Sequence, residues 1–272
     1  MNILFWNINR KNLTSCLLEL IRENSVDMLI LAEYPYEISP LCQKANELTY
    51  KRFNALSDTG CPRIKVLICN NYNYEILTAQ ERYLLAKIST NDFEWIIAMI
   101  HGRSKFHART DEQLLGIASF RSAIEEYEER MKISRTIAIG DFNIDPFEKS
   151  CFTATGMHSF PFRDVVKKGG RKFANEMHNM FYNPTWRLFG RTKAPYTSYY
   201  NETGGSHYFH WYAFDQIMIR HSLMGAFEDE SLRIITSTKD HDFLSPDNTP
   251  NKSLYSDHLP LFCTIKEDAQ YE

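Results

Sequence analysis

The chain has 272 residues, 43% of them hydrophobic and 14% aromatic, which is enough apolar material for a sizeable core and excludes a largely disordered chain. Its formal charge of −3, from 31 basic and 34 acidic residues, excludes a protein that coats duplex DNA through a large positive field, yet leaves room for a local basic rim at an acidic centre. Six scattered cysteines lack any Cys-x-x-Cys pair, which disfavours zinc, and no apolar stretch approaches the ~18 residues of a membrane span.

In chain order, Ile3 to Ile8 reads as a strand, Leu13 to Glu23 as a helix with Leu13, Leu17, Leu20 and Ile21 on one face, and Val26 to Ala32 as a second strand. The segments Arg63 to Cys69, Tyr74 to Leu77, Tyr83 to Ser89 and Phe93 to Ile100 follow as antiparallel strands separated by Asn- and Asp-containing turns. A long helix is expected from Arg109 or Thr110 to Met131. Its apolar side is read as Leu114, Leu115, Ala118, Ile124 and Tyr127, and its acidic run Glu125, Glu126, Glu128 and Glu129 as a solvated face.

Arg135 to Ile139 is a buried strand, Asp145-Pro146 a turn, and Glu148 to Thr155 a short helix. From Lys167 to Tyr212, Lys and Arg residues interleave with Phe, Trp and Tyr, a mixture that serves equally to bind phosphates and stack bases or to cover a core. Phe214 to Ile219, Leu232 to Thr236 and Leu259 to Ile265 complete the strands. No repeat or linker divides the chain, so one domain is expected over residues 1–267, followed by a short acidic tail at 268–272. The start lacks the pattern of an export signal, so reduced thiols in the cytoplasm are the default expectation.

Several apolar runs end in short polar strings: Trp6-Asn7-Ile8-Asn9, Ala32-Glu33, His101, Gly140-Asp141-Phe142-Asn143 and Phe214-Asp215. Another string, Ser256-Asp257-His258, precedes the last run. One such string is ordinary turn chemistry, but polar residues at successive strand ends gather on one rim. Glu33 and Asp257, helped by Asn7 or Asn9, offer hard oxygen ligands suited to magnesium, with manganese as the second choice. Asp141 and Asn143 are two apart, so in an extended chain they share a face. A carboxylate there can take a proton from water while the amide orients it, although the same pair also forms an Asx turn. Asp215 can fix the tautomer of His258. His101, followed by Arg103, Lys105, His107 and Arg109, is a candidate phosphate-facing group, although taken alone His101 reads first as a satisfied structural histidine.

These strings, with Ile217-Met218-Ile219 after Asp215 and Leu259-Pro260 after His258, resemble the endonuclease/exonuclease/phosphatase superfamily, the deoxyribonuclease-I-like fold. The resemblance runs in order over nearly the whole chain. It implies an α/β (α+β) four-layered sandwich, two mixed β-sheets packed face to face with helices on the outside, and metal-dependent phosphoester hydrolysis at the sheet rim.

Carried over by position, Glu33 is the principal metal ligand with Asn7 and Asp257 nearby, Asp141 the activator of water and Asn143 its partner. Asp215 orients His258, and His101 and His258 contact phosphate. The Trp-x-Gly-Asp-x-Asn string of the inositol-phosphatase branch is absent, since Ala138-Ile139-Gly140-Asp141 stands there. His101 stands where the apurinic-site repair branch usually has Tyr. The expectation is therefore a magnesium-dependent nuclease acting on DNA or RNA. A hydrolase of a small phosphorylated metabolite or lipid headgroup is the alternative, and an inactive binding module the third reading.

Overall fold

The computed structural model describes residues 1–56, 59–106, 108–203 and 209–267. His107 and the acidic tail at 268–272 lie outside the described residues. Strand β1 (Asn2–Asn7), helix α1 (Thr14–Glu23) and strand β2 (Met28–Ala32) form a parallel crossover, with Ile3 beside Met28 and Asn7 beside Ala32. Helix α2 (Ser39–Leu48) has no counterpart in the sequence reading. Pro40 sits in its first turn, where a missing N–H costs nothing, and only Leu41, Cys42 and Ala45 are buried, too few for a clear period.

Next come β3 (Phe53–Leu56), β4 (Ile64–Cys69) and the antiparallel meander β5 (Asn73–Ala79), β6 (Tyr83–Ser89) and β7 (Glu94–His101). Helix α3 (Thr110–Met131) then leads to β8 (Thr136–Asp141), which runs parallel to β7. The following stretch is short-jointed: α4 (Lys149–Phe152), β9 (Ser159–Phe160), α5 (Arg163–Val166), the hairpin β10 (Gly170–Phe173) and β11 (Glu176–Asn179), and β12 (Phe181–Tyr182). A 3₁₀ segment Pro184–Gly190 and the pair β13 (Tyr199–Tyr200) and β14 (Trp211–Tyr212) precede β15 (Asp215–Arg220), β16 (Arg233–Ile234) and β17 (Leu261–Thr264).

The long strands assemble into two mixed sheets. One has the order β16-β17-β1-β2-β4-β3 and the other β5-β6-β7-β8-β15-β12-β9. Successive residues of a strand point to opposite faces, and in the second sheet each face has its own core. Ile97, Met99, Ile137, Ile139 and Ile217 join the core that also holds Ile3, Phe5, Leu29 and Leu67 of the other sheet, with β1 and β2 against β8. Ala98, Ile100, Ala138 and Met218 point the other way and pack with Ile117, Phe120 and Ile124 of α3. The architecture is therefore two mixed sheets face to face, as expected, with α3 outside the second.

The inner face of α3 differs from the expectation. Its buried residues are Gln113, Ile117, Phe120, Arg121, Ile124 and Glu128, while Leu115 remains 69% exposed. Polar residues on the inner face hide its apolar period, because each finds a partner there. Gln113 Nε2 donates to the carbonyls of Arg103 and Asn143, and Arg121 donates to Glu125 and the Ala154 carbonyl. Glu128, read as part of a solvated face, is buried and accepts two hydrogen bonds of 2.9 Å from Arg220, whose guanidinium lies 3.8 Å above the Phe181 ring.

Gly140 is fixed by close approach of β7 and β8. Its φ is +149°, and a Cβ added there would lie 2.0 Å from the Ile100 carbonyl oxygen. Gly140→Ala is expected to cost roughly 3 kcal/mol or more, since neither backbone can yield without breaking the ladder. Urea unfolding checks this through a lowered midpoint at unchanged slope.

Candidate functional site

Every strand end singled out in the sequence arrives at one rim between the sheets. Asn7 ends β1, Glu33 follows β2, His101 ends β7, Asp141 ends β8 and Asp215 begins β15. In register, Asp141 lies between His101 and Asp215. All three sit two residues from core positions Ile139, Met99 and Ile217, so strand periodicity turns them toward the opposite sheet. Asn7 reaches them from that sheet: its Nδ2 donates to Asp141 Oδ2 at 3.0 Å, and its Oδ1 accepts from the Asn9 backbone N–H at 3.1 Å.

Asp141 is almost fully buried, and its Oδ1 accepts the Asn143 backbone N–H at 2.9 Å. Asn143 has φ +54°, so the chain turns there as an Asx motif while the side chain remains at the rim. The turn reading and the site reading of Gly140 to Asn143 thus describe one object. Burial, set against the nearby His258 charge, pushes the Asp141 carboxyl above the usual carboxylate range.

His258 Nδ1 lies 2.8 Å from Asp215 Oδ2. Burial disfavours an imidazolium at this position, but the charge and hydrogen bond of Asp215, with Asp141 and Asp257 beyond it, prevail and raise the pKa of His258. The backbone is clamped as well. Trp6 Nε1 donates to the His258 carbonyl at 2.8 Å, and Ser256 Oγ accepts the His258 N–H while donating to the Asn7 carbonyl. The Tyr199 ring lies against the imidazole with centroids 4.6 Å apart.

His101 is opposite in charge. Burial, then the nearby Arg63 and Arg82, push its pKa down to about 3, so it is a neutral imidazole. Its Nε2 lies 3.4 Å from Glu33 Oε1 and 3.8 Å from Asp141 Oδ2. Two histidines on one rim therefore differ in protonation, a separation that gives them different tasks.

Glu33 has φ +54°, a conformation that costs a non-glycine residue energy and is held because Arg10 N–H donates to its carbonyl and its own N–H to the Arg63 carbonyl. Its carboxylate, Asn7, Asp257, Asp141, Asn143 and both histidines line one cavity of about 380 Å³. Glu33, Asp257 and the Asn7 amide oxygen are a donor set of oxygens alone, which fits a hard divalent cation. Asp141, Asp215 and His258 also place ligand atoms within 4.8 Å of one another. In that group Nδ1 of His258 is already engaged by Asp215, so it reads as a hydrogen-bonded acid–imidazole pair.

The basic residues depart from the sequence reading. Lys105 is held by Glu148 at 2.5 Å and Arg109 by Asp111 at 2.6 Å, while Arg103 lines the adjoining groove. The arginines lining the cavity are Arg10, Arg63 and Arg82, from three separate loops; they too have acidic neighbours, Arg10 lying 3.5 Å from Glu33, and Arg63 and Arg82 lying 3.0 and 3.8 Å from Glu81. They are scattered over the first 82 residues beside ordinary charged neighbours (Lys11, Lys65 and Glu81), so no local signal marks them. Asp145 was also missed. Burial pushes its carboxyl up to about 7, and its Oδ1 accepts the Ala213 N–H at 2.9 Å, tying the loop after Asn143 to the approach of β15. The basic-aromatic segment divides: Phe181 and Tyr212 are core, whereas Phe209 is 68% exposed and touches Phe147.

No family model matches the sequence, and no curated protein does. Solved structures do match over almost the full chain. A structure of D. rerio TDP2 complexed with single strand DNA product has 16% identity, a TM-score of 0.54 and coverage of 98% of both chains. The 3′ phosphatase NExo from Neisseria, bound to product DNA hairpin, has 13% identity and a TM-score of 0.54, over 98% of this chain and 99% of that one. An endonuclease/exonuclease/phosphatase family protein from Bacteroides thetaiotaomicron has 11% identity and a TM-score of 0.53, over 97% and 96%.

The chain has the endonuclease/exonuclease/phosphatase fold. Within that fold the rim occupied by Asn7, Glu33, His101, Asp141, Asn143, Asp215, Asp257 and His258 is the one the sequence resemblance marks. No helix among the described residues is long and apolar enough to cross a membrane.

Proposed function

We propose that the chain is a metal-dependent phosphodiester hydrolase, a nuclease acting on DNA or RNA. One observation carries the reading: a charged His258–Asp215 pair and the Asn7–Asp141–Asn143 hydrogen-bonded group converge on one cavity with an all-oxygen donor set and three arginines. A magnesium ion, with manganese as substitute, fits Glu33, Asn7 and Asp257, and would supply Lewis-acid neutralisation of a phosphoryl oxygen when bound.

The chain's own residues have distinct tasks. Asp141 accepts the proton of a water at Oδ2, and its raised pKa suits a base working near neutral pH. Asn7 and the Asn143 backbone keep that carboxylate aimed. The Asn143 side chain orients the water. His258, kept charged by Asp215, donates from Nε2 to a non-bridging phosphoryl oxygen as negative charge grows there. Neutral His101 donates from Nε2 to the same group. Arg10, Arg63 and Arg82 receive the flanking phosphate, a function proposed from the sequence for Arg103, Lys105 and Arg109, of which Arg103 lines the adjoining groove. The resemblance implies in-line attack leaving a 3′-hydroxyl and a 5′-phosphate. The DNA products held by TDP2 and NExo support a nucleic acid over a small metabolite.

The test is a cleavage screen of single-stranded DNA, duplex DNA, RNA, nucleotides and phospholipids, with magnesium and with excess chelator. Magnesium-dependent cleavage of a nucleic acid, weakening steeply with salt as phosphate contacts require, is the expected result. Hydrolysis confined to nucleotides or phospholipids would move the assignment to the alternative class.

A further inference from the structure

A second cavity, about 590 Å³, adjoins the first. The two share Arg82 and Gly102 as walls, and the second runs between the start of β6 and the side of α3 that carries Gln113, Gly116 and Ile117. Its volume is that of a ligand site. Its lining mixes Arg82 and Arg103 with Glu81 and Glu112, adds Tyr83, Leu115 and Ile117, and includes Gln80. Arg82 lies 3.8 Å from Glu81 and donates to the Gly102 carbonyl, which leaves Arg103 as the second cation of the wall.

Helix α3 is interrupted in composition where it faces this space. Gly116 lies in the middle of the helix, where glycine costs up to about 1 kcal/mol relative to alanine. A Cβ added there would meet no atom within 4 Å, so the position opens onto the groove and has no packing reason to stay bare.

We propose that this groove holds the nucleotide next to the scissile phosphate on the same strand. Its phosphate lies between Arg82 and Arg103, its base lies over the Tyr83 and Leu115 walls beside Gly116, and the Gln80 amide is available to the base edge. The proposal rests on the nuclease reading and adds to it a subsite outside the catalytic cavity. It makes the enzyme prefer a strand of more than one nucleotide, unpaired at the site, because a base must leave its pairing partner to lie against protein side chains.

The experiment compares wild type with Gly116→Ala, Gly116→Leu and Ser119→Trp, the last on the exposed side of the groove. Each is assayed with magnesium on bis(p-nitrophenyl) phosphate, an ester that carries no nucleotide, and on a short single-stranded oligonucleotide. The proposal expects Gly116→Leu and Ser119→Trp to raise KM for the oligonucleotide about ten-fold, with kcat/KM on the ester unchanged. Gly116→Ala should match wild type on both. Wild-type KM for the oligonucleotide in both bulky variants overturns the groove and leaves the nuclease reading standing. Failure of wild type to cleave the oligonucleotide overturns both.

Discussion

Asp141→Ala is expected to lower kcat for nucleic-acid cleavage by about 10²- to 10⁴-fold, the range of a positioned general base, with a smaller effect on KM. Its carboxylate is the node of the rim: it takes the Asn7 amide and the Asn143 N–H, and both histidines lie within 4 Å of its Oδ2. The isosteric Asp141→Asn should be equally inactive and should separate chemistry from folding. A carboxyl whose pKa is higher folded than unfolded holds its proton more tightly in the fold, so the fold loses stability as pH rises through that range. Asp141→Asn escapes that loss. In chelator its melting midpoint should therefore fall less than that of wild type between acidic and mildly alkaline pH. An Asp141→Asn protein that cleaves at the wild-type rate would contradict the base assignment, and one with no such gain in stability would contradict the raised pKa.

Glu128→Ala is expected to cost about 3 kcal/mol, because it removes both 2.9 Å hydrogen bonds of Arg220, 2% exposed, and leaves that buried cation with Glu125 at 3.9 Å. Glu129, one residue on and exposed, should change stability by less than about 0.5 kcal/mol when replaced by alanine. Replacing the pair together, as Glu128→Leu with Arg220→Met, should recover most of the loss, since an apolar pair of similar volume avoids the desolvation of two ions. Thermal melts of the three variants check the series. A Glu128→Ala variant as stable as Glu129→Ala would show that the pair contributes nothing to holding α3 on the sheet.

The same helix shows where a sequence pattern stops being informative. Strands β6, β7, β8 and β15 are legible because residues of one chemistry fill both faces, and their polar ends stand out against that background. The inner face of α3 is not, because Gln113, Arg121 and Glu128 are buried with partners that lie far along the chain, such as Arg220. The site divides in the same way. Asp141, Asn143, Asp257 and His258 are local strings, readable as units. Arg10, Arg63 and Arg82 meet only because three loops end at one rim, whereas Lys105 and Arg109, paired with Glu148 and Asp111, are not among the residues that line the cavity. Short strands such as β9 and β12, two residues each, exist through pairing with neighbours and carry no pattern of their own.

The central claim is that Glu33, with Asn7 and Asp257, holds a divalent cation beside the Asp141 base. The most direct measurement is the rate of nucleic-acid cleavage by wild type and Glu33→Gln as magnesium is titrated into metal-stripped protein. The account predicts no cleavage without metal, saturable recovery in wild type, and for Glu33→Gln a half-saturating magnesium concentration raised at least about ten-fold, as loss of a first ligand requires. Cleavage that persists in chelator, or magnesium curves that coincide for the two proteins, would contradict it.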